Sequence, residues 1–131
     1  MKKTMTISIV DDDAFVRDAT ADLVRALGYD ARTYESAEQF LGSGQVDDSS
    51  CLITDLQMPG LNGLELQDCL LAEGHSTPII FITAFPKDAA RQRALDAGAV
   101  AFLKKPFEEA SLIRALEVAV KHVRSKLQSS P

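Results

Sequence analysis

Short runs that are apolar throughout alternate along this chain with longer stretches in which apolar residues recur at helical spacing. Ile7 to Val10 is the first such run, and Phe15 to Leu27 follows it, with Phe15, Ala19, Leu23, Val24 and Leu27 marking a helix face and Gly28 supplying a stop. A short strand at Ala31 to Thr33 precedes a helix over Ser36 to Leu41, where Ser36 is placed to cap the first turn two positions before Glu38. Gly42 to Ser50 is a polar connection rich in Gly, Ser and Asp, too short for a domain linker. The pattern then repeats as strand Leu52 to Thr54, helix Gly63 to Leu71, strand Pro78 to Thr83, helix Ala89 to Ala97 stopped by Gly98, and strand Ala99 to Leu103. A closing helix runs from Glu108 to about Leu127, and its stripe Leu112, Leu116, Val120, Val123 and Leu127 is expected to pack on the sheet. Strands without polar alternation, separated by helices, predict an α/β fold of five βα units: a doubly wound parallel sheet covered on both faces.

In such sheets sites form where the carboxyl ends of strands meet at a change in strand order. Asp11, Asp12 and Asp13 follow the first strand, Asp55 follows the third, Thr83 ends the fourth, and Lys105 follows the fifth. If the first and third strands are neighbours, their carboxylates converge, and like charges about 4 Å apart repel by roughly 4 kcal/mol at an effective dielectric near 20. A cation is therefore expected among them. Hard carboxylate oxygens suit Mg²⁺ (or Mn²⁺), which usually takes one or two carboxylates together with waters and a phosphate oxygen. Asp13 is the best placed of the first three to cap the following helix.

Composition narrows the partners. The 131 residues, 46% of them hydrophobic, suffice for one core and fall short of two ordinary domains. A formal charge of −5 argues against direct binding to nucleic acid or an anionic membrane. Cys51 and Cys69 lack metal-ligand spacing and read as small buried hydrophobes. Lys2 and Lys3 precede an apolar run too short for a signal or membrane segment, which points to a cytoplasmic protein. His75 and His122 are expected to face solvent.

Ile9-Val10-Asp11-Asp12, Asp55-Leu56-Gln57-Met58-Pro59-Gly60 with Asn62-Gly63, Ile82-Thr83-Ala84 and Lys105-Pro106-Phe107 together resemble the receiver (CheY-like) domain of two-component response regulators. The likeness runs from about Thr6 to Leu127, which sets a receiver domain at 1–127 and leaves 128–131 as a polar tail or the start of a linker. It implies a flavodoxin-like fold with strand order 2-1-3-4-5. It also implies that Asp55 accepts a phosphoryl group from a sensor histidine kinase or phosphotransfer protein, the domain catalysing only its own phosphorylation and dephosphorylation. By the same resemblance Asp12 binds Mg²⁺ directly and Asp11 through water, Asp55 and the Gln57 backbone carbonyl join them, and Thr83 and Lys105 contact the phosphoryl oxygens. Of the dipeptide Lys104-Lys105 only one side chain can point at the site, and the match selects Lys105. The Lys105–Pro106 bond is expected to be cis. The resemblance also implies that Gln57 and Phe85 occupy positions that in related receivers tune how fast water attacks the acyl phosphate, and that Phe102 stands where the family places an aromatic that reorients between states. The output surface is expected on the fourth helix, fifth strand and fifth helix, through a homodimer or a downstream protein.

Two other classes compete. A phosphatase with an aspartate nucleophile also places acids after a first strand, but here no insertion is long enough for a substrate lid. A nucleotide- or flavin-binding module of similar fold needs a Gly-rich loop where this chain has three acids.

Overall fold

The computed structural model describes residues 5–128. Five parallel strands form one sheet: β1 (Thr6–Val10), β2 (Asp30–Tyr34), β3 (Cys51–Asp55), β4 (Ile79–Thr83) and β5 (Ala101–Lys104), in the order β2-β1-β3-β4-β5. Helices α1 (Ala14–Ala26), α2 (Ala37–Leu41), α3 (Gly63–Ala72), α4 (Asp88–Asp96) and α5 (Glu109–Gln128) alternate with them. This is the doubly wound, flavodoxin-like architecture expected from the sequence.

The apolar runs bury both faces of the sheet because successive strand residues point to opposite sides. Ile7, Ile9, Ile53, Ile80 and Ile82 meet Ala21 and Val24 of α1 and Leu112, Leu116 and Ala119 of α5. Val10, Leu52 and Phe81 meet Phe40 of α2, Leu66 and Leu70 of α3 and Ala94 of α4. Every residue of β3 and β4 is buried, whereas the edge strands β2 and β5 are partly exposed. Helix ends follow local chemistry. Asp13 caps α1 by accepting from the Phe15 and Val16 N–H groups, and Ser36 caps α2 by accepting from the Gln39 N–H. Gly28 and Gly98, at φ 95° and 102°, take the left-handed conformation that ends the helices before them.

Two expectations are corrected. The buried face of α1 is formed by Thr20, Ala21 and Val24, while Phe15 is 83% exposed and Leu27 lies at the surface. The first turn of α1 starts beyond the end of β1, where Phe15 has no sheet to cover, and Thr20 enters the core because its hydroxyl donates to the Val16 carbonyl at 2.8 Å. β5 begins at Ala101 because the chain is still closing α4: the Gly98 and Ala99 N–H groups donate to Leu95 and Ala94. Lys2, Lys3 and the end of the tail at 129–131 lie outside the described residues, as does the side chain of Leu127. Among the described residues no helix is long and apolar enough to cross a membrane.

Candidate functional site

The order β2-β1-β3-β4-β5 puts the switch point between β1 and β3, with Ile9 beside Ile53 and Val10 beside Thr54. One step further along the ladder Asp11 comes beside Asp55. One carboxylate oxygen from each of Asp11, Asp12 and Asp55 lies within 4.8 Å of the others. Asp11 is fully buried and Asp12 is exposed, so the cluster opens to solvent on one side.

Each acid is held by the turn it starts. Asp11 Oδ1 accepts the Asp13 N–H at 2.9 Å, and the Asp11 N–H donates to the Tyr34 carbonyl at the end of β2 at 3.2 Å. Asp55 Oδ1 accepts the Gln57 N–H at 3.3 Å. Behind Asp55 the start of α3 packs so tightly that a Cβ on Gly63 would stand 2.6 Å from the Asp55 carbonyl oxygen, and any side chain there would push the end of β3. Asn62 and Glu65 fix that helix start by a reciprocal capping box.

Lys105 closes the arrangement. Its main-chain N–H donates to the Thr83 carbonyl at 2.7 Å, which carries β5 past its last strand residue and up to the site. Its Nζ donates to Asp55 Oδ2 at 3.0 Å and stands 3.0 Å from Asp11 Oδ2. Lys104 points to solvent, as the alternation of strand side chains requires, and the Lys105–Pro106 bond is cis. Burial works to lower the Lys105 pKa, but its pairing with the Asp11 and Asp55 carboxylates outweighs it and the net shift is upward. For Asp11, burial dominates and raises the carboxyl, with the Asp55 charge adding to it, against the Asp13 N–H and Lys105. Asp11 Oδ2 meets Lys105 as an ion pair only and has no hydrogen-bond partner among the described residues. Three carboxylates and one ammonium leave two negative charges and a buried oxygen with acceptor capacity to spare, a donor set that fits a hard divalent cation.

The remaining expected residues surround this centre at different depths. Thr83 is buried, and its Oγ1 accepts the Phe85 N–H at 3.1 Å. The Phe85 ring is 64% exposed and the Gln57 side chain is also exposed. Phe102 is half-buried against Phe81, with ring centroids 6.1 Å apart, two residue pairs along the β4–β5 ladder from Thr83 and Lys104. Cys51 is buried and its thiol is pushed up to about 12, which makes it inert; Cys69 is only half-buried, and both are free.

His75 corrects an expectation. It is not simply solvent-facing: Nδ1 lies 3.2 Å from Asp47 and Nε2 3.5 Å from Glu73. This cluster sits at the opposite, amino end of the sheet. His122 is exposed, as expected. Two residues that sequence reasoning passed over touch the site's loops. Arg17 donates to the Asp11 carbonyl at 2.8 Å, and Glu38 accepts the Leu61 N–H at 3.0 Å, which lowers the Glu38 carboxyl. A basic residue one turn into the helix after an acid cluster was a readable signal for Arg17; Glu38 had none.

Comparison with known proteins adds an independent line. The sequence profile of the response regulator receiver domain matches residues 7–117. The response regulator protein TodT of Pseudomonas putida is 36% identical over 129 residues, covering 98% of this chain and 57% of that protein. The transcriptional regulatory protein FixJ of Azorhizobium caulinodans is 34% identical over 120 residues, covering 92% of this chain and 57% of FixJ. The chain thus spans somewhat more than half the length of these curated relatives. Among solved structures, that of the response regulator StyR superposes with a TM-score of 0.88 at 38% identity, over 97% of this chain and 64% of that one. The FixJ-N crystal structure does so with a TM-score of 0.82 at 36% identity, over 92% of this chain and 97% of that one.

Proposed function

This chain belongs to the family of response regulator receiver domains, and from that premise we propose that it is a phosphorylation switch whose acceptor is Asp55. The observation that carries the proposal is the Lys105 ammonium held 3.0 Å from both Asp11 and Asp55 beside a buried, under-satisfied carboxylate oxygen. Asp55 attacks the phosphorus of a phosphohistidine on a sensor kinase or phosphotransfer protein; the new P–O bond forms as the P–N bond breaks and the imidazole leaves. A carboxylate is a modest nucleophile, so the domain must act by positioning and by neutralising charge on the equatorial oxygens. Asp11, Asp12, Asp55 and the Gln57 carbonyl would hold Mg²⁺ (or Mn²⁺). When bound, that ion supplies positive charge beside the phosphoryl oxygens. Lys105 supplies a flexible point charge from the other side, and Thr83 a hydroxyl whose oxygen accepts the Phe85 N–H and whose proton is left to donate to a phosphoryl oxygen.

Asp55 is favoured over Asp11 as nucleophile because its side chain keeps some exposure, 9%, where that of Asp11 has none. That argues against the phosphatase reading. Charge and acceptor oxygens added at Asp55 would draw Thr83 toward them, free space beside Phe102, and bias the surface of α4, β5 and α5 toward a state that binds a second copy or a downstream protein. This role is that of a cytoplasmic switch acting on itself, with no turnover of other substrates. Incubation with Mg²⁺ and acetyl phosphate should add one phosphoryl group, seen by intact-protein mass, and Asp55→Asn should abolish it. Undiminished labelling of the Asn variant, or turnover of a free phosphate ester, would overturn the proposal.

A further inference from the structure

Arg17 is the second cation of this region, and its contacts differ in kind from those of Lys105. It lies in α1 one turn past the Asp13 cap, with its side chain only 13% exposed. Nη1 donates to the main-chain carbonyl of Asp11 at 2.8 Å, and Nη2 stands 3.9 Å from Glu35 Oε1, just past the end of β2. Among the described residues it forms no ion pair with Asp11, Asp12 or Asp55. The Asp11 N–H is tied to the Tyr34 carbonyl and its Oδ1 to the Asp13 N–H, so Arg17 completes a grip on every polar group of Asp11 except Oδ2. The peptide plane between Asp11 and Asp12 therefore cannot turn without breaking a charge-assisted hydrogen bond.

We propose that Arg17 is a positioning residue: it locks the Asp11–Asp13 turn so that Asp11 and Asp12 present their oxygens to a divalent cation before a phosphoryl group arrives. The inference rests on the receiver reading for its functional meaning, yet it makes a prediction of opposite sign to simple electrostatics. A positive charge near a cation site repels the cation, so deleting Arg17 would tighten Mg²⁺ binding if charge were its whole effect. If Arg17 acts by holding the turn, deleting it loosens Mg²⁺, and partners that orient metal ligands from behind are typically worth about 10- to 100-fold in affinity.

The test is isothermal titration of the full chain with Mg²⁺ for wild type, Arg17→Ala and Arg17→Lys, together with amide hydrogen exchange at Asp13 in the absence of Mg²⁺. Arg17→Ala should weaken Mg²⁺ about tenfold and speed exchange at Asp13, whose N–H is bonded to Asp11 Oδ1. Arg17→Lys keeps the charge and loses the fork, so it should fall between the two. Should the Ala variant fail to fold, the Lys variant carries the test: affinity equal to wild type then overturns the inference. Unchanged or tighter Mg²⁺ binding in Arg17→Ala overturns it directly. A wild type that binds Mg²⁺ and is labelled at Asp55 beside an indifferent Arg17→Ala defeats this inference alone. A wild type that resists labelling, while Arg17→Ala still loosens Mg²⁺, defeats the switch reading alone. No Mg²⁺ binding by wild type defeats both.

Discussion

At both ends of the sheet a basic side chain stands between two acids at similar distances. At the carboxyl end Lys105 is 3.0 Å from Asp11 and from Asp55; at the amino end His75 is 3.2 Å from Asp47 and 3.5 Å from Glu73. What separates them is solvent. The Asp11 and Asp55 side chains are 0% and 9% exposed, those of Asp47 and Glu73 88% and 65%. Water screens the second set and satisfies whatever the histidine does not, so such surface pairs contribute little. In the first set burial removes most of that screening: the carboxylates repel each other, one Asp11 oxygen meets only the Lys105 ammonium, and a cation bound among them would relieve the repulsion. Paired charges make a site when burial leaves the pairing incomplete.

The sharpest way to break this comparison is to remove the incompleteness. Asp11→Asn keeps the shape and deletes the charge. Its effect on Mg²⁺ should be the largest expected here, a loss of about 100-fold or more in affinity by titration calorimetry. Stability should move the other way. The Asp11 pKa is raised in the folded protein, chiefly by burial. A raised carboxyl contributes its full stability below the unfolded value, about pH 4, and loses it as pH rises through the folded value, so ionised Asp11 costs stability at pH 7. With chelator present, Asp11→Asn should therefore raise Tm by a few degrees at pH 7, and the gain should shrink as pH falls toward about 4. Adding Mg²⁺ should stabilise wild type and leave the variant unmoved. A lower Tm for the variant at pH 7 would mean that the acid cluster is not under tension.

A smaller effect tests water at the same end of the sheet. Phe85 sits at the lip, its ring largely exposed and its N–H tied to Thr83. A polar side chain there could align a water behind phosphorus, which an apolar ring cannot. We expect the phosphorylated state to decay slowly, with Phe85→Glu and Phe85→Ala each speeding the loss by roughly tenfold or less, since water-positioning groups are commonly worth about 100-fold and the proposed role of Gln57 would supply part of that. Following phosphoprotein over time decides it: equal or slower decay in both variants would show that Phe85 does not gate the water.

Much of this was legible in the sequence because the same local rules that build βα units also place the acids. Apolar runs gave four of the five strands, β2 being read from its place in the alternation although it carries Arg32 and Thr33, and residues that immediately follow a strand in a parallel sheet have no choice but to gather at its carboxyl edge. Legibility failed where a side chain's role depends on partners distant in sequence. Spacing alone put Phe15 in the core, but only the tertiary fold shows that the first turn of α1 overhangs the sheet. Thr20 read as polar, yet a bond to its own helix allows its burial. Arg17 and Glu38 act on main-chain atoms; the place of Arg17 one turn after the acids was a readable hint, whereas the reach of Glu38 to the Leu61 N–H had no sequence signature. His75 meets Asp47 only because two loops before β3 and β4 lie side by side.

The smallest expected effect is at the amino end, and it is the control for the whole comparison. Asp47→Asn with Glu73→Gln removes both charges facing His75 and retains their shapes. If exposure is what empties these contacts of energy, Tm should stay within about 2 °C of wild type, because surface pairs of this kind are commonly worth nothing measurable. Mg²⁺ affinity and Asp55 labelling should likewise be unchanged, since the two ends are separated by the full length of the strands. The measurement is a thermal melt at low and at high salt. A drop of several degrees that salt abolishes would show that two exposed contacts store as much as the buried set, and burial would then not be what distinguishes the two ends.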